Sequence, residues 1–227
     1  KSAKNLVQLM EQTACKQIIY LGGIANKEEL SKHLSSRQRV EQILRTSSSA
    51  VTALKAGIIV GSGSASFEIM RDLVEKLPVM VTPQWLNTKS HPIAIRNVLQ
   101  FLSGVLGRVD TYNKSFDIAG PEVLTYKEML LQFSEVRGLS RYIFTVPVMT
   151  PRVSSYWLYF VTATSYKLAV NLVDSMKIEV VCQNNDINTL LDVAPISYKD
   201  SLIKAFNRTQ KNEIVSTWKD SYSSSDN

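Results

Sequence analysis

Apolar and polar positions follow two periods along this chain. Leu6, Leu9, Met10 and Thr13 recur at helical spacing and predict a helix over 5–14. "KQIIYLGG" then runs apolar without a break and ends in two glycines, which reads as a short strand buried on both faces. "IANKEELSKHLSSRQRVEQILR" returns to the helical period. Asn26 is its N-cap, Glu28 and Glu29 fill the first turn and Arg45 the last, and Leu30, Leu34, Val40, Ile43 and Leu44 form the stripe. "AVTALKAGIIVG" predicts a second buried strand. "SFEIMRDLVEKL" predicts a helix capped by Ser64 or Ser66, with Phe67, Met70, Val74 and Leu77 on one face. "PVMVTPQWLNTKSHP" reads as a proline-bounded irregular segment. "PIAIRNVLQFLSGVLG" predicts a helix with Pro92 in its first turn and Gly107 just past its end. "KSFDIAG" is a third strand. "TYKEMLLQFSEVRG" opens on a Thr125/Glu128 capping box and closes on Gly138.

Strands that alternate with helices predict an α/β fold: a doubly wound parallel, Rossmann-like sheet covered on both faces. Three strands are few for such a sheet, and the chain starts with Lys1. It reads as the later part of such a domain, its N-terminal part missing. Beyond Arg141 the sequence turns rich in aromatics, prolines and hydroxyls, and from Val153 to Val173 the one charge is Lys167. Ser154, Ser155, Thr162, Thr164, Ser165 and Asn171 dilute that stretch, so it is expected to be a buried or ligand-lining helical segment, with membrane-surface contact as an alternative. The expected organisation is 1–120 as the Rossmann-like part, with 62–91 contributing to a smaller, mostly helical substrate lobe at 121–210, and a polar tail at 211–227.

Composition narrows the function. The chain has 227 residues, 44% hydrophobic and 20% charged, enough for one core and a small lobe. Net charge is +6, yet the basic residues are scattered, which fits an anionic small ligand and not a nucleic acid. Cys15 and Cys182 are far apart and in no metal-ligand spacing, and His33 and His91 are the only histidines. No metal site and no disulfide scaffold are expected, and a reducing cytoplasm is the default.

Gly61-Ser62-Gly63-Ser64-Ala65-Ser66, between a strand and a helix, raises the question of a phosphate loop. A dinucleotide fingerprint needs a third glycine and a later acidic residue. Here the third position is Ser66, and "PVMVTPQW" follows. "IIYLGG", "HLSSRQRVEQILR", "VTALKAGIIVGSGS" and "FDIAGPEVLTYKEML", in that order, resemble the extended or atypical short-chain dehydrogenase/reductase superfamily over about residues 1–140. "GSGSASFEIMRDLVEKLPVMVTPQW", "PIAIRNVL" and "TPRVSSYW" extend the similarity to about residue 210, to a bacterial group of nucleoside-diphosphate-sugar epimerase-like or NmrA-like NAD(P)H-binding proteins. The resemblance implies that the glycine-rich turn borders the substrate pocket and the nicotinamide end, and does not cradle a pyrophosphate.

The same resemblance implies a site. His33 falls at the family's catalytic Tyr and Arg37 at its Lys, while Gly22 or Gly23 stands where Ser or Thr is expected. Arg37 keeps a charge for ribose or phosphate. His33 is a candidate acid/base, though a cation four residues on favours its neutral form. Gly22, Gly23, Arg37, Ala56, Gly57 and Ile58 are the candidate contacts to NADP or NAD. Gly61, Ser62, Phe67, Trp85 and Arg152 are the candidate substrate-pocket residues, with core packing as the competing role for the aromatics, Trp157 included. The expected function is an NAD(P)-binding oxidoreductase or sugar-nucleotide epimerase-like enzyme acting on a small molecule. The alternative is a non-catalytic NAD(P) sensor or scaffold, with membrane contact as a lesser option.

Overall fold

The computed structural model describes residues 2–24, 32–146 and 176–210. The chain opens with α1 (Ser2–Glu11), enters the sheet as β1 (Gln17–Gly23), and crosses over through α2 (Lys32–Leu44) to β2 (Ala50–Ala56). It then leaves the sheet for β3 (Ile59–Val60), α3 (Ala65–Lys76), β4 (Val79–Pro83), a 3-10 turn at Gln84–Asn87, β5 (Lys89–Ser90), β6 (Ile93–Ala94) and α4 (Ile95–Gly104). It returns as β7 (Ser115–Ile118) and continues through β8 (Leu124–Thr125), α5 (Tyr126–Val136) and β9 (Tyr142–Val146). After residue 175 come α6 (Asp186–Leu191) and α7 (Tyr198–Gln210). The candidates Arg152 and Trp157, the stretch 153–173, the tail and the expected cap at Asn26 lie outside the described residues.

The main sheet has the order β1-β2-β7, and both of its pairings are parallel. Helices cover both faces, as the largely apolar β1 and β2 require. On one face Val7 of α1 and Leu44 of α2 meet Ile18 and Val51. On the other, Val98 and Phe101 of α4 and Ile187 of α6 meet Leu54 and Ile118. A second core joins α3, α5 and α7. Phe67 lies between Phe133 and Phe206, with centroids 5.5 and 5.2 Å away, among Met70, Val74, Met80 and Met129.

Local signals behave as their chemistry dictates. Thr125 and Glu128 form both halves of the capping box on α5. Gly107 and Gly138 take positive φ of 73° and 65° after α4 and α5. Three expectations change. The strand predicted through "AVTALKAGIIVG" breaks at Gly57, and β3 pairs with β6 in another sheet. The irregular segment after Pro78 contains β4, held by parallel pairing to β9. Pro92 precedes β6, so the helix starts later, at Ile95. In each case a partner distant in sequence overrides the local pattern. Cys15 and Cys182 are free thiols. No helix among the described residues is long and apolar enough to cross a membrane.

Candidate functional site

In open α/β sheets ligands bind outside the carboxyl ends of the strands. The register sets Gly22 beside Lys55 and Gly23 beside Ala56, so Gly22, Gly23, Ala56, Gly57 and Ile58 come together at that rim. No side chain there from residue 22 to 23, or at 56 and 57, exceeds a methyl group. His33 stands in the first turn of α2, and Arg37, exposed, one turn further on. Tyr20 ties the two elements together: its hydroxyl donates to the Arg37 carbonyl at 3.0 Å. Burial pushes the Tyr20 phenol above its ordinary pKa, against the pull of the Arg37 charge and with a further push from Glu41. The Tyr20 ring also crosses over Gly22. A Cβ on Gly22 would sit 3.1 Å from Tyr20 Cε1, tight enough that the ring would have to give. The missing Ser or Thr thus has a steric counterpart.

The other glycines mark a crossing. A Cβ on Gly57 would lie 2.5 Å from the His91 carbonyl oxygen, and one on Gly120 would lie 2.5 Å from the Pro92 carbonyl oxygen. The His91–Pro92 backbone therefore threads between two bare positions. Hydrogen bonds fix it there: Ile93 N–H donates to the Ile58 carbonyl at 2.8 Å, and Gly120 N–H to the Pro92 carbonyl at 2.8 Å. Ile24 N–H takes the Ala56 carbonyl at 3.0 Å. At Gly61 a Cβ would meet Ile95 Cγ2 at 2.6 Å. His91 is buried, and its Nδ1 accepts the Cys182 N–H at 3.3 Å. Burial holds its pKa below the usual histidine value, with the Gly120 backbone pulling the other way.

The glycine-rich turn satisfies itself. Ser64 is the N-cap of α3, accepting the Phe67 N–H at 3.3 Å. Gly63, at φ 80°, gives its N–H to Glu68 Oε1 at 3.3 Å, and Glu68 is paired to Arg71. A carboxylate of the chain already occupies the helix N-terminus, where an anionic ligand would bind. Ser62 is half-buried beside it.

Sequence reasoning missed an ionic knot around the buried Glu41, whose partners reach solvent. Glu41 Oε1 accepts Arg45 Nη2 at 2.9 Å and Ser115 Oγ at 2.8 Å, and Lys55 Nζ lies 3.4 Å from Oε2. Burial alone would raise the Glu41 pKa. The bonds from Arg45 and Ser115 and the charge of Lys55 outweigh it and hold the carboxyl below its usual range. The knot ties α2 to β2 and β7. A surface salt bridge to Glu41 was the role for Arg37 that competed with a cofactor contact; the carboxylate turns instead to these three groups. The signal was Lys55, one charge inside an apolar strand.

The aromatic candidates lie in the second core. Phe67 is buried there, and Trp85 stands edge-on to Tyr126 at 6.4 Å and 84°. A polar cleft of about 400 Å³ opens at β7, lined by Lys114, Ser115, Phe116, Asp117, Asn184 and Asp186. Two of its carboxylates are engaged within the chain: Asp117 accepts Gln183 N–H at 3.2 Å, and Asp186 accepts Asn184 Nδ2 at 2.7 Å. Among the described residues no cluster of three or more His, Cys, Asp or Glu side chains suits a metal ion.

No family model and no curated protein matches the chain. Solved structures do. A nucleoside-diphosphate-sugar epimerase from Staphylococcus aureus is similar at 17% identity and a TM-score of 0.68, over 88% of this chain and 69% of that one. The triphenylmethane reductase of Citrobacter sp. is similar at 17% identity and a TM-score of 0.71, over 90% of this chain and 70% of its own; it has also been solved with NADP(H). The NADPH-dependent quinone oxidoreductase of Escherichia coli, solved with NADPH, is similar at 13% identity and a TM-score of 0.67, over 90% and 70%. The fold is therefore the Rossmann-like α/β fold of these epimerase and reductase structures, and it is the fold that the sequence resemblance predicted.

Proposed function

We propose that this chain binds NAD or NADP, with the nicotinamide end against the rim of Gly22, Gly23, Ala56, Gly57 and Ile58. The observation that carries the reading is that Gly23 and Ala56 end adjacent strands at the carboxyl edge of a fold shared with structures that hold NADP(H) or NADPH, while the Tyr20 ring lies over Gly22 and the His91 backbone against Gly57. Arg37 is the residue to hold a ribose hydroxyl or a phosphate. The carbonyls of Ala56 and Ile58 are engaged within the chain, so their part is to shape the rim. The cofactor, when bound, would accept or donate hydride. The reaction proposed is nicotinamide-dependent oxidoreduction or epimerisation of a small molecule in the cytoplasm, with His33 as the group that holds or releases a proton. Residues 1–120 then form the cofactor part, and 62–91 with 121–210 form a substrate lobe containing Gly61, Ser62, Phe67, Trp85 and Arg152.

A second reading is a non-catalytic NAD(P) sensor. The Tyr20 ring over Gly22 favours it, because it crosses the place where the family's Ser or Thr would orient a carbonyl. Titration of NADH and NADPH, followed by nucleotide fluorescence, tests the common premise. Binding that weakens about tenfold or more in Arg37→Glu, a loss of about 1.4 kcal/mol, supports it. No binding of either nucleotide removes both readings. Turnover abolished by His33→Phe selects the enzyme, and binding without turnover selects the sensor.

A further inference from the structure

The small β4–β9 sheet has its polarity reversed. Its inner face carries Met80, Thr82 and Ile143, all buried. Its outer face carries Val79, Val81, Tyr142 and Phe144, which are 51, 47, 63 and 58% exposed. Parallel pairing puts Val79 beside Tyr142 and Val81 beside Phe144, so the four side chains form one stripe. Neither strand contains a charged residue. A sheet with one face on the core and one in water normally turns its apolar residues inward. Here a threonine points in and two aromatics point out. A contiguous exposed patch of this kind marks an interaction site.

Area and charge decide what the stripe meets. Four side chains of these sizes offer on the order of 400 Å² of apolar surface. A stable protein complex needs about 800 Å² from each partner, so a second copy is poorly matched. Charge argues the same way: at +6 two copies repel each other, whereas an anionic surface attracts the chain. Arg141, directly before Tyr142, spends its hydrogen bonds on the carbonyls of Val74, Ser140 and Glu75 and keeps its charge. Aromatic side chains beside the Arg141 charge, on a chain of net charge +6, suit the headgroup level of an anionic bilayer. We propose that the outer face of the β4–β9 sheet is a peripheral docking surface for an anionic lipid bilayer. The surface is independent of the cofactor rim.

Flotation of the full chain with phosphatidylcholine vesicles, with and without phosphatidylserine, tests this. The chain should float with the phosphatidylserine vesicles and let go as salt is raised. The double variant Tyr142→Thr, Phe144→Thr should lose about tenfold or more in partitioning. Threonine keeps the strand propensity, and an unchanged melting curve shows that the fold is intact. Flotation with neither vesicle overturns the proposal, as does a double variant that floats like the parent. A dimer seen by light scattering that tightens with salt and is lost in the double variant also overturns it, in favour of a second copy.

Discussion

Gly57 and His91 are in contact through backbone alone: a Cβ on the glycine would lie 2.5 Å from the histidine's carbonyl oxygen. That oxygen belongs to a segment pinned on both sides, so it cannot retreat. Gly57→Ala is expected to destabilise the fold by about 1–3 kcal/mol through overpacking. Urea unfolding of the variant beside the parent checks it. A variant as stable as the parent would mean that the crossing is looser than described.

His91 gives the protein an acid-sensitive element. Burial lowers its pKa in the folded state, so the unfolded chain takes up the proton first as acid is added. The contribution is fully present above the ordinary histidine value of about 6.5 and is lost as pH falls below it. In His91→Gln, where an amide oxygen can still accept the Cys182 N–H, the urea midpoint should change less across that range.

Glu41 acts on the acid side of that window. Its folded-state pKa is depressed, so its contribution is present above the ordinary value of about 4.3 and fades as pH falls through the folded value. Glu41→Gln leaves Lys55 without a counter-charge and should cost about 1–3 kcal/mol near neutral pH. The cost should shrink in acid, where the parent's carboxyl is protonated as well. A constant difference at every pH would show that packing, not charge, sets the effect.

Phe67 separates a pocket role from a core role. Its ring is held between Phe133 and Phe206, so Phe67→Ala should destabilise by about 3–5 kcal/mol. The check is the unfolding free energy measured without any ligand.

These residues show where the sequence was readable. β1 and β2 were legible because a parallel strand covered on both faces is largely apolar, as "IIYLGG" is; β7 gave a shorter signal, with Asp117 inside it. The capping box at Thr125 and the positive-φ glycines were legible because the chemistry is local. β4 was not, because "VMVTP" carries two prolines nearby and becomes a strand only when β9 lies beside it. The break at Gly57 was hidden for the same reason: its cause is the His91 backbone, far along the chain. The rim glycines came from the family resemblance. Periodicity cannot tell whether Phe67 faces a ligand or another helix, since both put it on the same side of α3. Glu41 is four residues from both Arg37 and Arg45, and that symmetry leaves the choice of partner to the fold.

The excursion between β2 and β7 has a consequence for how the molecule assembles. The chain leaves the main sheet at Ala56 and comes back only at Ser115, after building β3, α3, β4, β5, β6 and α4. Loop-closure entropy opposes docking of β7 until that excursion has collapsed. That entropy favours pairing of β1 with β2, which one helix joins, ahead of β7. The Glu41–Ser115 contact joins that helix to β7, so Ser115→Ala is expected to speed unfolding more than it slows folding.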